Sequence, residues 1–382
     1  MKHLFSLHRT EYGIDPEVVV SAPGSVNLMG EHTDYNEGFV LQAAISRSIM
    51  VAMSRRKDNS LRFFAADYNE RKRTTITNLK YKREDRWANY AKGVLYELNQ
   101  LGHSFKGIDI TIKGDIPQGI GLAASSALCI AATVAAGHLF NLKLSDDQII
   151  RSSTRAETTF IGLDKEITDQ IVACTAKKGN IIFLDLRTEQ YEYIPLKLNG
   201  VKILITVSNV PLVSFDAELK ERKEDCKKCV EYLRKKKPGT ALRDYTIHEL
   251  THSMGVVPEN IRRRCLHVVE ENQRVLDAKT AILEGDLVAY GKLLNRSHES
   301  LRDNYEVSCP ELDWLVKRAW ELDGVLGSRM TGAGFGGCTI TLIKDQAIEA
   351  YNDRLEEYER IFGFDAETII CDPAQGVHVL YP

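Results

Sequence analysis

Glu31, His32 and Asp34 stand close together between Gly30 and Gly38, inside APGSVNLMGEHTDYNEGFV, Ala22 to Val40. Two carboxylates and an imidazole leaving one tight turn can grip several hydroxyls at once, which suits a sugar. A solvated loop accounts for one such side chain more readily than for all three. A second segment, GDIPQGIGLAASSAL from Gly114 to Leu128, sets Gly119 and Gly121 ahead of Ser125 and Ser126 at the start of a long apolar run. The first backbone N–H groups of a helix there, with its dipole, face whatever anion lies in front, and phosphate suits that position. A glycine-rich turn capped by serine explains the same residues without a ligand. The third segment, GSRMTGAGFGGCTITL from Gly327 to Leu342, contains GAGFGG and matches G-x-G-x-x-G. It leads into a strand-like stretch rather than a helix, which removes the dinucleotide-fold reading and leaves a loop whose backbone can approach a ligand closely.

Two shorter patterns point toward metal. HELTH, His248 to His252, is a literal H-E-x-x-H: on a helix both imidazoles share one face, with Glu249 as base and Glu270 or Glu271 as a third ligand. That reading leaves all three glycine-rich segments without a role. Cys226 and Cys229 form a single CKKC in a charged helical stretch, with no second C-x-x-C nearby to complete four ligands.

The elements that must position these segments alternate in type. Strand-like runs at 18–22, 48–53, 61–66, 108–114 and 180–186 are interleaved with helical patterns at 87–101, 123–140 and 146–160. Beyond residue 200 come VKILITV, a long amphipathic helix over 215–236, further helices, the strand CTITLIK at 338–344, a helix over 345–361 and a closing strand. The pattern predicts an α+β chain in two lobes, residues 1–195 and 196–382, with a cleft between them. A chain of 382 residues, 43% hydrophobic and 27% charged, can bury the cores of both.

Several function classes are excluded. A net charge of −3, with acids and bases mixed throughout, offers no broad basic face for nucleic acid. The stretch Gly121 to Phe140 approaches membrane-spanning length, but its small residues, two serines and His138 predict a buried helix. MKHLFSLHRTEYG reaches His8, Arg9 and Glu11 before any apolar run of signal-peptide length, so the expected compartment is the cytoplasm. Eight cysteines scattered through mostly apolar contexts suit reduced thiols there.

Taken in order, the three glycine-rich segments resemble the three motifs of the GHMP small-molecule kinases, and GEHTDYNEG is similar to the galactokinase form of the first. DRWANYAKGV (85–94), AETTFIGLDKEITDQ (156–170), RRRCLHVVEENQRV (262–275) and SHESLRDNYEVSCPELD (297–313) resemble galactokinase segments too, so the similarity covers nearly the whole chain from about residue 10. It implies a two-lobed fold with an S5-like N-terminal domain and a ferredoxin-like C-terminal domain, which binds ATP and Mg²⁺ in the cleft and phosphorylates a sugar at its anomeric hydroxyl. The partners implied are a small sugar and ATP, with no nucleic acid and no membrane, and the family default is a monomer.

By the same resemblance, Glu31, His32 and Asp34 hold sugar hydroxyls, with Gly334 also at the sugar. Gly119, Gly121, Leu122, Ala123, Ala124, Ser125 and Ser126 face the phosphates, and Trp87 and Tyr90 line the adenine pocket. Ser125 and Glu157 hold the Mg²⁺, and Asp169 takes the place of the catalytic aspartate. The match breaks at Ser25, where galactokinases carry an arginine beside that aspartate, at Leu219, where a sugar-contacting tyrosine is usual, and at Lys165 and Glu166, which replace small residues. A serine cannot supply the lost positive charge; Lys165, four residues from Asp169, is the candidate to supply it. Two readings follow: an active sugar kinase, for galactose or a related sugar, or a galactokinase-like sensor that binds sugar and ATP without catalysis.

Overall fold

The computed structural model describes residues 2–210, 215–253 and 255–382. Its first sheet contains β1 (Val18–Met29), β2 (Phe39–Arg55), β3 (Ser60–Ala65), β4 (Glu70–Thr75), β5 (Ile108–Gly114), β6 (Asn180–Asp185) and β7 (Gln190–Pro195). The second contains β8 (Val201–Val207), β9 (Val325–Thr331), β10 (Cys338–Lys344) and β11 (Glu367–Ile370); β12 (His378–Tyr381) returns to the first. The first sheet runs β12-β1-β2-β5-β3-β4, with β6 added to the start of β2 and β7 beyond it. The second is antiparallel in the order β11-β8-β10-β9. The charged edge strand β4, ERKRTT, alternates half-buried and exposed positions, a composition that discourages further pairing.

The helices are α1 (Lys2–Tyr12), α2 (Ala88–Gln100), α3 (Ala124–Leu139), α4 (Asp146–Arg155), α5 (Thr168–Thr175), α6 (Asp216–Arg234), α7 (Ile247–Thr251), α8 (Glu259–Glu284), α9 (Leu287–Ser300), α10 (Pro310–Trp320) and α11 (Ile348–Phe362). In α3, thirteen of sixteen residues are buried, because it packs on β1 and β2 while α2, α4 and α5 enclose its other sides. Small side chains on every face make that possible. The run from Gly121 to Phe140 is therefore a core helix, and no described helix is long and apolar enough to cross a membrane. In the second lobe, α10 and α11 bury Leu315, Tyr351 and Tyr358 against Leu204 and Ile343 of the sheet.

Two departures from the sequence expectation matter for the site. β1 continues past the expected 18–22 to Met29; the pairing with β2 shifts register at Pro23 and Gly24, so the strand bulges and resumes at Ser25. Gly24 is required at the bulge, since a Cβ would stand 2.5 Å from the Leu122 carbonyl oxygen, to which Ser25 N–H also donates. The helix expected over 146–160 stops at Arg155 and opens into a π-helical turn, Ala156–Ile161, that carries Glu157.

Candidate active site

A cleft of about 850 Å³ is lined by Ser25, Asn27, Glu31, His32, Asp34, Gln42, Lys165, Glu166, Asp169, Leu219 and Lys223, and is closed on one side by Gly332 and Ala333. Its donors and acceptors are held from both lobes. Glu31 Oε1 accepts from Thr331 Oγ1 at 2.9 Å, Gly332 N at 2.8 Å and Arg329 Nη1 at 3.3 Å, while Oε2 accepts a single bond from Asn27 Nδ2 at 3.0 Å and keeps room for a hydroxyl. His32 Nδ1 pairs with Tyr35 Oη at 3.0 Å, and burial together with neighbouring His267 pushes the imidazole down to about 3, so it is neutral. His32 Nε2 and Gln42 Oε1 are buried polar atoms without a partner in the protein, and both residues line the cleft. Buried groups of this kind are rare unless a ligand completes them. Burial raises the Asp34 carboxyl to about 7, Glu166 adds to the rise, and the Tyr35 N–H and Lys223 partly offset it.

A second cavity of about 320 Å³ adjoins the first. Trp87, Tyr90 and Tyr68 form an aromatic wall, and Gly119, Gly121, Leu122, Ala123, Ala124 and Ser125 form the other side. The positive φ of Gly119, Gly121 and even Ala123 (+56°) turns this loop so that α3 begins at its rim with free N–H groups. Trp87 is oriented by its indole N–H, which donates to Glu70 at 2.9 Å.

Gly121, Lys165 and Asp169 line both cavities. Ser25 Oγ donates to Asp169 Oδ1 at 2.9 Å, and Lys165 Nζ lies 3.6 Å from Asp169 Oδ2. The same ammonium is 3.2 Å from Glu157 Oε1, 3.0 Å from Ser126 Oγ and 3.4 Å from Ser125 Oγ. Burial alone would lower the pKa of Lys165, but the Glu157 and Asp169 carboxylates outweigh it and hold the group above its ordinary value. It is a cation fixed where an aromatic, helix-ended cavity meets a polar one.

Comparison with known proteins gives the family. Residues 6–55 match the galactokinase galactose-binding signature, 89–177 the GHMP kinase N-terminal domain and 278–360 the GHMP kinase C-terminal domain. A galactokinase of Roseiflexus sp. is 38% identical, with 96% of this chain and 94% of that protein aligned, and the Bacillus subtilis galactokinase is 35% identical over 94% and 93%. The chain belongs to the galactokinase family. The crystal structure of Lactococcus lactis galactokinase complexed with galactose superposes with a TM-score of 0.94 at 30% identity, covering 99% of each chain. Methanococcus jannaschii mevalonate kinase, at 20% identity and TM-score 0.69, shares the fold. The chain is thus a GHMP-type sugar kinase, a phosphotransferase that uses ATP.

The departures from the galactokinase pattern all fall on the cleft. Ser25, Lys165, Glu166 and Leu219 line it. Mg²⁺ fits the site poorly as it stands. Hydroxyl and carboxylate oxygens are suitable donors. However, Glu157 is fully buried and lines neither cavity; its Oε2 accepts from Ser126 Oγ at 2.8 Å and from Gln170 Nε2, and its Oε1 faces Lys165. The pair expected to hold the ion, Ser125 and Glu157, is bridged by an ammonium instead. Among the described residues no group of three or more His, Cys, Asp or Glu could hold a metal.

Two further sequence expectations fall outside the cleft. Gly334 packs against Val307, where a Cβ would meet the carbonyl oxygen at 2.4 Å; the wall it was expected to form is made by Gly332 and Ala333. Ser126 is buried behind Ser125 and contacts Glu157 rather than the nucleotide cavity. The HELTH segment is a short exposed helix in which Glu249 completes a capping box with Thr246 and pairs with Lys237, while His248 and His252 stack on each other. Sequence reasoning missed Asn27 and Arg329, which fix Glu31, and the Glu271–Arg274 pair, whose carboxylate stays near 2 against the effect of burial and accepts from Gly30 N. Arg329 was legible as the one charge in the strand VLGSRMT.

Proposed function

We propose that this protein transfers the γ-phosphate of ATP to the anomeric hydroxyl of galactose. Asp169 carries the reading: it lies on the wall common to both cavities, with Ser25 on one oxygen and Lys165 beside the other. The sugar, bound by Glu31, His32, Asp34 and Gln42, presents its anomeric oxygen to the γ-phosphorus; its proton passes to Asp169 as the new P–O bond forms and the bond to the β-phosphate oxygen breaks, releasing ADP. Adenine packs against Trp87 and Tyr90, and the α3 N-terminus with Ser125 offsets phosphate charge. Lys165, 3.6 Å from Asp169, supplies positive charge in place of the arginine replaced by Ser25 and favours negative charge on the attacking oxygen. Ser25 favours the sensor reading; the retained Asp169 and serine loop, with that ammonium beside Asp169, support catalysis over a silent sensor. Mg²⁺ enters with the nucleotide as part of the substrate. We divide the lobes at residues 195 and 196, between β7 of the first sheet and β8 of the second, and read the protein as a cytoplasmic monomer; eight free cysteines, nearly all buried, support the compartment.

A coupled assay of ADP release with galactose, N-acetylgalactosamine and arabinose tests the substrate. Galactose is expected to give the highest kcat/KM, and release of ADP that is independent of any of these sugars would refute the proposal.

A further inference from the structure

Given the kinase reading of this cleft, we infer that the ammonium of Lys165 takes the seat between Ser125, Ser126 and Glu157 that a divalent cation would otherwise fill, so that the ion arriving with the nucleotide is held by phosphate oxygens and water and not by Glu157. The four oxygens around Nζ lie at 3.0, 3.2, 3.4 and 3.6 Å and come from the phosphate loop, the π-helical turn and the start of α5. That gap is enclosed: Glu157 is completely buried, and its second oxygen is already taken by Ser126 and Gln170. A divalent ion bonded to Glu157 Oε1 and Ser125 Oγ at ~2.1 Å needs the oxygens that the ammonium bridges, and two cations in one small gap repel each other. Lys165 lines both cavities, so it stands between Glu157 and any bound phosphate.

The charges around the gap support the assignment. The carboxylates of Glu157 and Asp169 face it, and among the described charged side chains whose contacts reach it, Lys165 is the one cation. One ammonium serves both: it pairs the buried carboxylate and remains within reach of the base. The side chain is 27% exposed and lines the cleft. Removing it reopens the Glu157 oxygen to an ion.

Mn²⁺ binding to the protein complexed with a non-hydrolysable ATP analogue, read by electron paramagnetic resonance, tests this. In the otherwise natural chain Glu157→Gln leaves Mn²⁺ affinity unchanged. Lys165→Met tightens it by about ten-fold, and the double variant Lys165→Met/Glu157→Gln loses that gain. Weakening of Mn²⁺ by about ten-fold in Glu157→Gln alone, or no gain in a folded Lys165→Met, overturns the assignment. If Lys165→Met does not fold because Glu157 is left buried and unpaired, the Glu157→Gln arm still decides. Metal-free binding of a fluorescent ATP analogue separates the two levels. Absence of nucleotide binding strikes the kinase reading itself, whereas bound nucleotide with Mn²⁺ on Glu157 strikes the role of Lys165 alone.

Discussion

Asp34 is raised to about 7 by burial and by the neighbouring Glu166, and it sits on the wall of the polar cavity. Below that pH it is a carboxylic acid with one proton to donate; above it, a carboxylate that accepts from sugar hydroxyls. The native state therefore holds a proton over the window from the ordinary aspartate value, ~3.9, up to about 7 that the unfolded chain has released. This contribution to stability is full at low pH and is lost as pH rises through 7. Sugar capture runs the opposite way. The KM for galactose falls as pH rises through 7, and the dependence disappears in Asp34→Asn; a pH dependence that survives in the variant would show that another group titrates. Ser25 and Asp169 are 144 positions apart and Arg329 and Glu31 are 298 apart, so neither pair could be read from local spacing. The residue types were legible and their partners were not.

The elements explain how distant residues acquire those partners. The bulge at Pro23 and Gly24 brings β1 against the phosphate loop, with Ser25 N–H on the Leu122 carbonyl. A methyl group at position 24 drives into that carbonyl, so Gly24→Ala is expected to cost about 1–3 kcal/mol in denaturant unfolding and to raise the KM for ATP as the loop shifts. Unchanged stability and an unchanged KM would mean that bulge and loop are not mechanically joined. Strands with strong β-branched runs, such as β5 and β10, fell at their expected limits, and α3 was set by its run of small apolar residues between glycine and Asn141. β1 and the end of α4 did not, because a bulge and a π-helical turn are stabilised by contacts beyond the local pattern: Leu122 for one, and Lys165 and Gln170 around Glu157 for the other. Both irregularities lie at the site, where local preference gives way to positioning.

Across the whole molecule, the proposed sugar wall draws on both sheets, since Asn27 lies in β1 and Glu31 just beyond it, while Arg329 and Thr331 lie in β9 of the second sheet and Gly332 in the turn that follows. The cleft thus exists only when the lobes are docked, and the buried ion pair of Arg329 with Glu31 lies at their junction. Two-lobed organisation was visible in the order of elements, whereas the return of β12 to pair with β1 was not, because a four-residue strand carries no pattern of its own. The common wall, with Asp169 between sugar and nucleotide, is the feature on which the account stands. Single-turnover phosphorylation of galactose by Asp169→Asn, followed by ³¹P resonance with folding checked by circular dichroism, tests it most directly. The account predicts a folded variant that binds both substrates and forms sugar phosphate at least ~10²-fold more slowly than the natural protein; a rate near that of the natural protein would contradict it.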